Sequence, residues 1–119
     1  MKIRIKGDTI RLRLSQNEVD EIGNGNMVQE ATHFGTSVFQ YSLSTHSSDI
    51  KVISRFDNGE IYVSINSDEA KNWAQSDQVG IVSLTDSTPH ILIEKDFQCL
   101  TVREGEDESD LFNNPNTTC

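Results

Sequence analysis

Residues 2–22, KIRIKGDTIRLRLSQNEVDEI, and residues 53–73, ISRFDNGEIYVSINSDEAKNW, lie 51 positions apart and share one plan. In the first stretch, charged and apolar residues alternate through residues 2–14, the period of a strand with one buried face. Gly7-Asp8 interrupts the alternation as a two-residue hairpin turn, because glycine takes a positive φ without steric cost. That turn pairs Ile5 with Ile10 and Ile3 with Leu12 on the core face, and gathers Lys2, Arg4, Lys6, Arg11 and Arg13 on the other. Ser15 with Glu18 three residues on forms a capping box, Val19 and Ile22 give a short helix one apolar stripe, and Asn24-Gly25 ends it. In the second stretch Asn58-Gly59 is the turn, Ile61, Val63 and Ile65 share a face, and Asn66 caps a helix carrying Ala70 and Trp73. Ile10, Leu12 and Leu14 thus fall on Ile61, Val63 and Ile65, Glu18 on Glu69, Ile22 on Trp73 and Val28 on Val79.

Outward from these stretches, further strand runs are expected at 27–34 and 38–45, joined at Gly35-Thr36, and near 79–84 and 90–97, separated by Asp86-Ser87-Thr88-Pro89. The fold class expected is α+β: two ββαββ repeats, about 2–45 and 50–97, forming a mostly antiparallel sheet or barrel-like domain with two short helices. An approximate two-fold axis relates the repeats. Neither could bury its apolar face alone, so residues 1–103 read as one cooperative domain followed by an acidic C-terminal segment, 104–119.

The chain has 119 residues and a formal net charge of −9. That length suits one domain with a substantial core. The acidic balance argues against duplex nucleic acid as a partner, and no apolar run is long enough for a membrane helix. The opening alternation of charges is not a signal peptide, so the expected setting is soluble and cytoplasmic. The charge is unevenly spread. Residues 1–14 hold five cations against Asp8, whereas 104–119 hold Glu104, Glu106, Asp107, Glu108 and Asp110 and no cation.

The opening KIRIKGDTIRLRL with its capped helix, the segment ILIEKDFQCL and the Asn-Pro-containing end closing on Cys119 resemble a family of small bacterial proteins of unknown function. The resemblance implies no activity, substrate or cofactor.

The residues themselves contain no Gly-rich phosphate loop, nucleophile elbow, H-E-x-x-H or Cys-x-x-Cys motif, so no cofactor and no metal are assigned. The informative positive signal is the five-cation face. Arg4 opposite Arg11 and Lys2 opposite Arg13 are like-charge pairs, each costing up to about 1 kcal/mol. Three readings offset that cost: splaying into solvent, the acidic segment 104–110 folding back, or an external anion such as a phosphorylated small molecule, single-stranded RNA or an acidic protein. The second hairpin carries Ile53, Arg55, Asp57, Tyr62 and Ser64 at corresponding positions, so the architecture itself does not demand a basic face. Leu111 and Phe112 stand out as apolar anchors in the acidic segment, seated on this domain or on a partner. Glu30 alternates inward near Tyr41, either as a buried general base or as a strand-end carboxylate reaching solvent or an arginine. Cys99 and Cys119 suit free thiols, a disulfide or, with His33, His46 and His90, a mixed metal site, but metal-ligand spacing is absent. The favoured reading is a non-enzymatic binding module using the basic hairpin face, with the tail as its cover. The alternative is a small enzyme or metal/thiol protein with its site at the pseudo-two-fold cleft.

Overall fold

The computed structural model describes residues 1–97 and 110–112. Eight strands and two helices follow in the order β1 (Lys2–Lys6), β2 (Thr9–Leu14), α1 (Gln16–Gly23), β3 (Val28–Phe34), β4 (Ser37–His46), β5 (Val52–Asp57), β6 (Glu60–Asn66), α2 (Ser67–Gln75), β7 (Gly80–Val82) and β8 (His90–Lys95). This is an α+β fold of two similar ββαββ halves. The strands do not form one closed barrel. They form two open sheets, in the orders β1-β2-β8-β7 and β3-β4-β6-β5.

Each sheet therefore joins a hairpin of one half to a hairpin of the other. Four strand pairs are antiparallel, and the two seams between halves, β2 with β8 and β4 with β6, are parallel. The hairpin register is the one the alternation implies: Ile3 lies opposite Leu12, Arg4 opposite Arg11 and Ile5 opposite Ile10. Gly7 sits at φ +55°, and the second turn places Asn58 at +50° and Gly59 at +76°, all in the left-handed region that these residue types tolerate.

The central strands contribute alternate residues to one core. Ile10, Leu12 and Leu14 of β2 and Ile61, Val63 and Ile65 of β6 are all buried. Ile81, Ile91 and Ile93 complete the first sheet's contribution, and Leu43 joins from β4. The helices bury Val19, Ile22, Ala70 and Trp73 at the ends where β2 and β6 finish. Their caps have a local cause. Ser15 Oγ accepts from the Glu18 amide while Glu18 Oε1 accepts from the Ser15 amide, and Asn66 Oδ1 accepts from the amides of Asp68 and Glu69. Trp73 Nε1 donates to the Val79 carbonyl at 3.1 Å, so the largest core side chain is buried without an unpaired donor.

The 51-residue offset holds through the hairpins and helices and then shifts. Val28 pairs with Leu43, and Ile81 with Ile93. Because Leu43 pairs with Val63 as Ile93 pairs with Leu12, Ile81 corresponds to Val28 and Ile93 to Leu43. The structure thus corrects the match of Val28 with Val79. The span from Trp73 to Ile81 is longer than that from Ile22 to Val28, and the span from Ile81 to Ile93 is shorter than that from Val28 to Leu43, so the register of the later strands moves.

Residues 110–112 dock at the helix end of the first sheet. Gln16 donates its amide to the Asp110 carbonyl at 3.0 Å and its side chain to the Leu111 carbonyl at 2.9 Å, and the Phe112 amide donates to Asp96 O at 2.9 Å. Leu111 is buried and Phe112 lies edge-on to Phe97 at 5.7 Å between ring centres. Lys95, on the inward side of β8, reaches over the Phe112 ring and donates to the Ser76 carbonyl at 2.8 Å, at the C-cap of α2. Burial lowers the Lys95 pKa from its ordinary 10.5, with Asp77 opposing the shift.

Gly23 and Ala74 occupy corresponding helix positions, and a methyl placed on Gly23 would meet Ala74 Cβ at 2.6 Å. Gly23→Ala is expected to destabilise the fold by about 1–3 kcal/mol through overpacking. Exchanging the pair, Gly23→Ala with Ala74→Gly, should recover most of that loss, and denaturant unfolding of the three variants reads the coupling. A second expectation concerns Lys95. The unfolded chain holds its proton more tightly than the folded one, so Lys95 makes stability rise with pH between the lowered pKa and 10.5. Unfolding midpoints across that alkaline range should show the rise in the native chain relative to Lys95→Met.

Candidate functional site

The polar face of the first hairpin is graded along its length. At the helix end, Lys2 Nζ lies 3.0 Å from Asp96 Oδ2, a carboxylate that is itself buried. Midway, Arg11 Nε lies 2.8 Å from Glu94 Oε1. This is an ion pair without an aligned hydrogen bond, since Glu94 Oε1 accepts none among the described residues. At the turn end, Arg4 and Lys6 form no ion pair among the described residues, and both are exposed. Around them opens a depression of about 220 Å³ lined by Arg4, Lys6, Thr9 and Arg11. Three of the five cations singled out in the sequence therefore converge on one concavity. Lys2 belongs to a different surrounding, and Arg13 lies opposite it.

Glu94 and Asp96 were not legible as counter-charges from their positions in sequence. They reach the basic face only because β8 lies parallel to β2, which sets Arg13 beside Glu94. Part of the like-charge cost is thus met by carboxylates from the last strand. The acidic residues Glu104, Glu106, Asp107 and Glu108, expected to fold back over this face, lie outside the described residues.

The second hairpin provides the comparison within the molecule. At the positions of Arg4, Lys6, Thr9 and Arg11 it carries Arg55, Asp57, Glu60 and Tyr62. Arg55 stacks over the Tyr62 ring at 4.1 Å and sits 3.9 Å from Asp57. A hydrogen bond to Glu60 is the main cause raising the Tyr62 pKa above its ordinary 10.0. One backbone thus displays a self-neutralising face on one hairpin and a cationic depression on the other.

Glu30 is half-exposed, and its carboxylate accepts from the Met1 amino group at 2.8 Å. Glu18 accepts from the same amino group, and Tyr41 Oη donates to the Met1 carbonyl at 2.9 Å. Burial disfavours the charged amine, but the two carboxylates outweigh burial and hold its pKa above the ordinary 8.0. Burial, with Glu30 and Glu18 nearby, raises the Tyr41 pKa above its ordinary 10.0. Glu30 is therefore a charge partner on edge strand β3, not a carboxylate enclosed in a cavity.

The cleft between the sheets has a volume of about 520 Å³, and neither Glu30 nor any histidine is among its lining residues. His46 instead bonds Ser64 Oγ at 2.8 Å and the Ile50 carbonyl. No three His, Cys, Asp or Glu side chains converge as metal ligands among the described residues, and Cys99 and Cys119 lie outside them. No helix among the described residues is long and apolar enough to cross a membrane.

No curated protein and no solved structure matches the chain. Residues 1–116 match the family of unknown function DUF7009, which covers both halves and the docked segment Asp110–Phe112. With nearly its whole length matched, the chain belongs to this family.

Proposed function

We propose that the chain is a non-enzymatic binding module whose first hairpin takes a phosphorylated small molecule. The observation that carries this reading is the depression of about 220 Å³ lined by Arg4, Lys6, Thr9 and Arg11. Guanidinium and ammonium groups around a concave space suit phosphate oxygens, which accept several charge-assisted hydrogen bonds at once. The Thr9 hydroxyl adds a neutral donor. A flat basic face would suit an extended acidic protein surface equally well, whereas a concavity of this size favours a compact anion. The comparison with the second hairpin also supports the reading, because the same backbone is stable there with mixed charges.

In this proposal the acidic segment competes for the same face. Leu111 and Phe112 tether the chain beyond it at the helix end, leaving Glu104, Glu106, Asp107 and Glu108 on the intervening stretch. Their charge screens the cations and sets an affinity threshold that a doubly charged phosphate overcomes.

Inorganic pyrophosphate is the probe, followed by amide chemical shifts of the full chain. Shifts should concentrate at Arg4, Lys6, Thr9 and Arg11. Arg4→Gln and Lys6→Gln should each weaken binding roughly tenfold, the scale of one lost charge-assisted hydrogen bond. Neutralising Glu104, Glu106, Asp107 and Glu108 to their amides should tighten binding at low salt and matter less at high salt. Binding indifferent to Arg4→Gln and Lys6→Gln would remove the reading.

A further inference from the structure

The basic depression continues across the outer face of its sheet. Leu12, Ile93 and Ile81 lie side by side and buried, so the residues flanking them on β2, β8 and β7 face outward. The pairing sets Arg4 beside Arg11, Arg11 beside Leu92 and Leu92 beside Val82 in one outward row. On its turn side runs a second row of Lys6, Thr9 and His90. The cations thus pass directly into an apolar patch on the same face. Leu92 is half-buried, and Val82 is 41% exposed. Neighbouring strands lie about 5 Å apart, so this patch starts about 5 Å from β2 and ends about 10 Å from it.

The second sheet shows that the backbone does not require such a patch. Its corresponding row is Arg55, Tyr62, Ser42 and Gln29. There the outer face closes on itself. Arg55 lies over the Tyr62 ring and beside Asp57, while Gln29 Nε2 donates to Gln40 Oε1 at 3.4 Å and to Glu60 Oε1 at 3.3 Å. Leu92 and Val82 stand where the second sheet has Ser42 and Gln29, and their side chains neither donate nor accept hydrogen bonds. A solvated sheet face ordinarily carries polar residues. Here an apolar pair lies next to Arg4 and Lys6, which form no ion pair among the described residues. The outward rows of β1, β2, β8 and β7 contain no Phe, Tyr or Trp, so they lack the ring platform on which single-stranded RNA bases stack.

We propose that this face selects phosphate esters by their organic group, holding the phosphate among Arg4, Lys6 and Arg11 and an attached apolar ring over Leu92 and Val82. The ring subsite rests on the phosphate-binding reading of the depression and adds to it the class of ester. Charge complementarity fixes which end of the ligand lies on the hairpin, and the strand spacing fixes the reach of the other end. An apolar ring removes the surface of Leu92 and Val82 from water. A sugar phosphate would instead set its hydroxyls against side chains that offer them no partner.

Naphthyl phosphate, glycerol phosphate and naphthol, titrated into the full chain under amide chemical-shift observation, test the proposal. Naphthyl phosphate should shift Arg4, Lys6, Thr9 and Arg11 together with Leu92 and Val82, whereas glycerol phosphate should shift the hairpin residues alone. The naphthyl ester should bind about tenfold more tightly. Val82→Gln and Leu92→Ser copy the second sheet, and each should erase most of that preference while leaving glycerol phosphate bound as before. Val82→Gln changes an exposed side chain, so it decides the matter even where Leu92→Ser loosens the fold. Arg4→Gln should weaken both esters alike. Equal affinity for the two esters, with the hairpin shifts intact, would overturn the ring subsite and spare the phosphate reading. Failure of both esters to bind would overturn the two together. Naphthol bound as tightly as its phosphate, or light scattering that shows a second copy of the chain covering Leu92 and Val82, would also overturn the ring subsite.

Discussion

Two parallel seams, β2 against β8 and β4 against β6, are the constraint on which this fold rests. A hairpin closes locally, but a parallel pair needs a long connection, and here each seam joins strands from different halves. Neither half owns a complete sheet. The first half contributes β1 and β2 to one sheet and β3 and β4 to the other, and the second half does the reverse. Burial of Leu12 therefore depends on Ile93, and burial of Val63 on Leu43. The halves interlock, and a cooperative core is the direct consequence. Loop-closure entropy for the β2–β8 seam is offset only when nearly the whole described chain is in place.

That constraint explains which features could be read along the chain. The hairpin registers, both N-caps and the apolar triads of β2 and β6 depend on residues a few positions apart, so alternation and turn chemistry suffice. The exchange of hairpins between sheets has no local signature, because β8 presents the same period to β2 whether it joins that sheet or another. The offset of 51 was also trustworthy only where continuous secondary structure preserves it. Beyond the helices the loops differ in length, and Val28 moves onto Ile81. The inward reading of Glu30 rests on alternation, which does not register that β3 is an edge strand. Its carboxylate instead meets the Met1 amino group at the margin of an edge strand.

The site features divide in the same way. The five cations of the first hairpin were visible in the sequence, but their inequality was not. Glu94 and Asp96 engage Arg11 and Lys2 because of the parallel seam, leaving the turn end as the cationic concavity. The apolar cleft was hidden for the opposite reason. Ile5 and Phe56 have the same period as Leu12 and Val63, and alternation assigns them all to a core. Only the arrangement of elements shows that the core stops one layer short.

Why it stops there follows from chain direction. Each central strand runs from a hairpin turn into a helix, and the seams bring the helix ends of both sheets together. Both helices must then cap the same end, with Gly23 set against Ala74 where they meet. The opposite end receives the two-residue hairpin turns and the 83–89 connection, and no helix covers it. An opening at the turn end is thus a product of the topology, while the residues around it are free to vary. On this backbone both hairpins turn a large apolar side chain, Ile5 and Phe56, toward the opening.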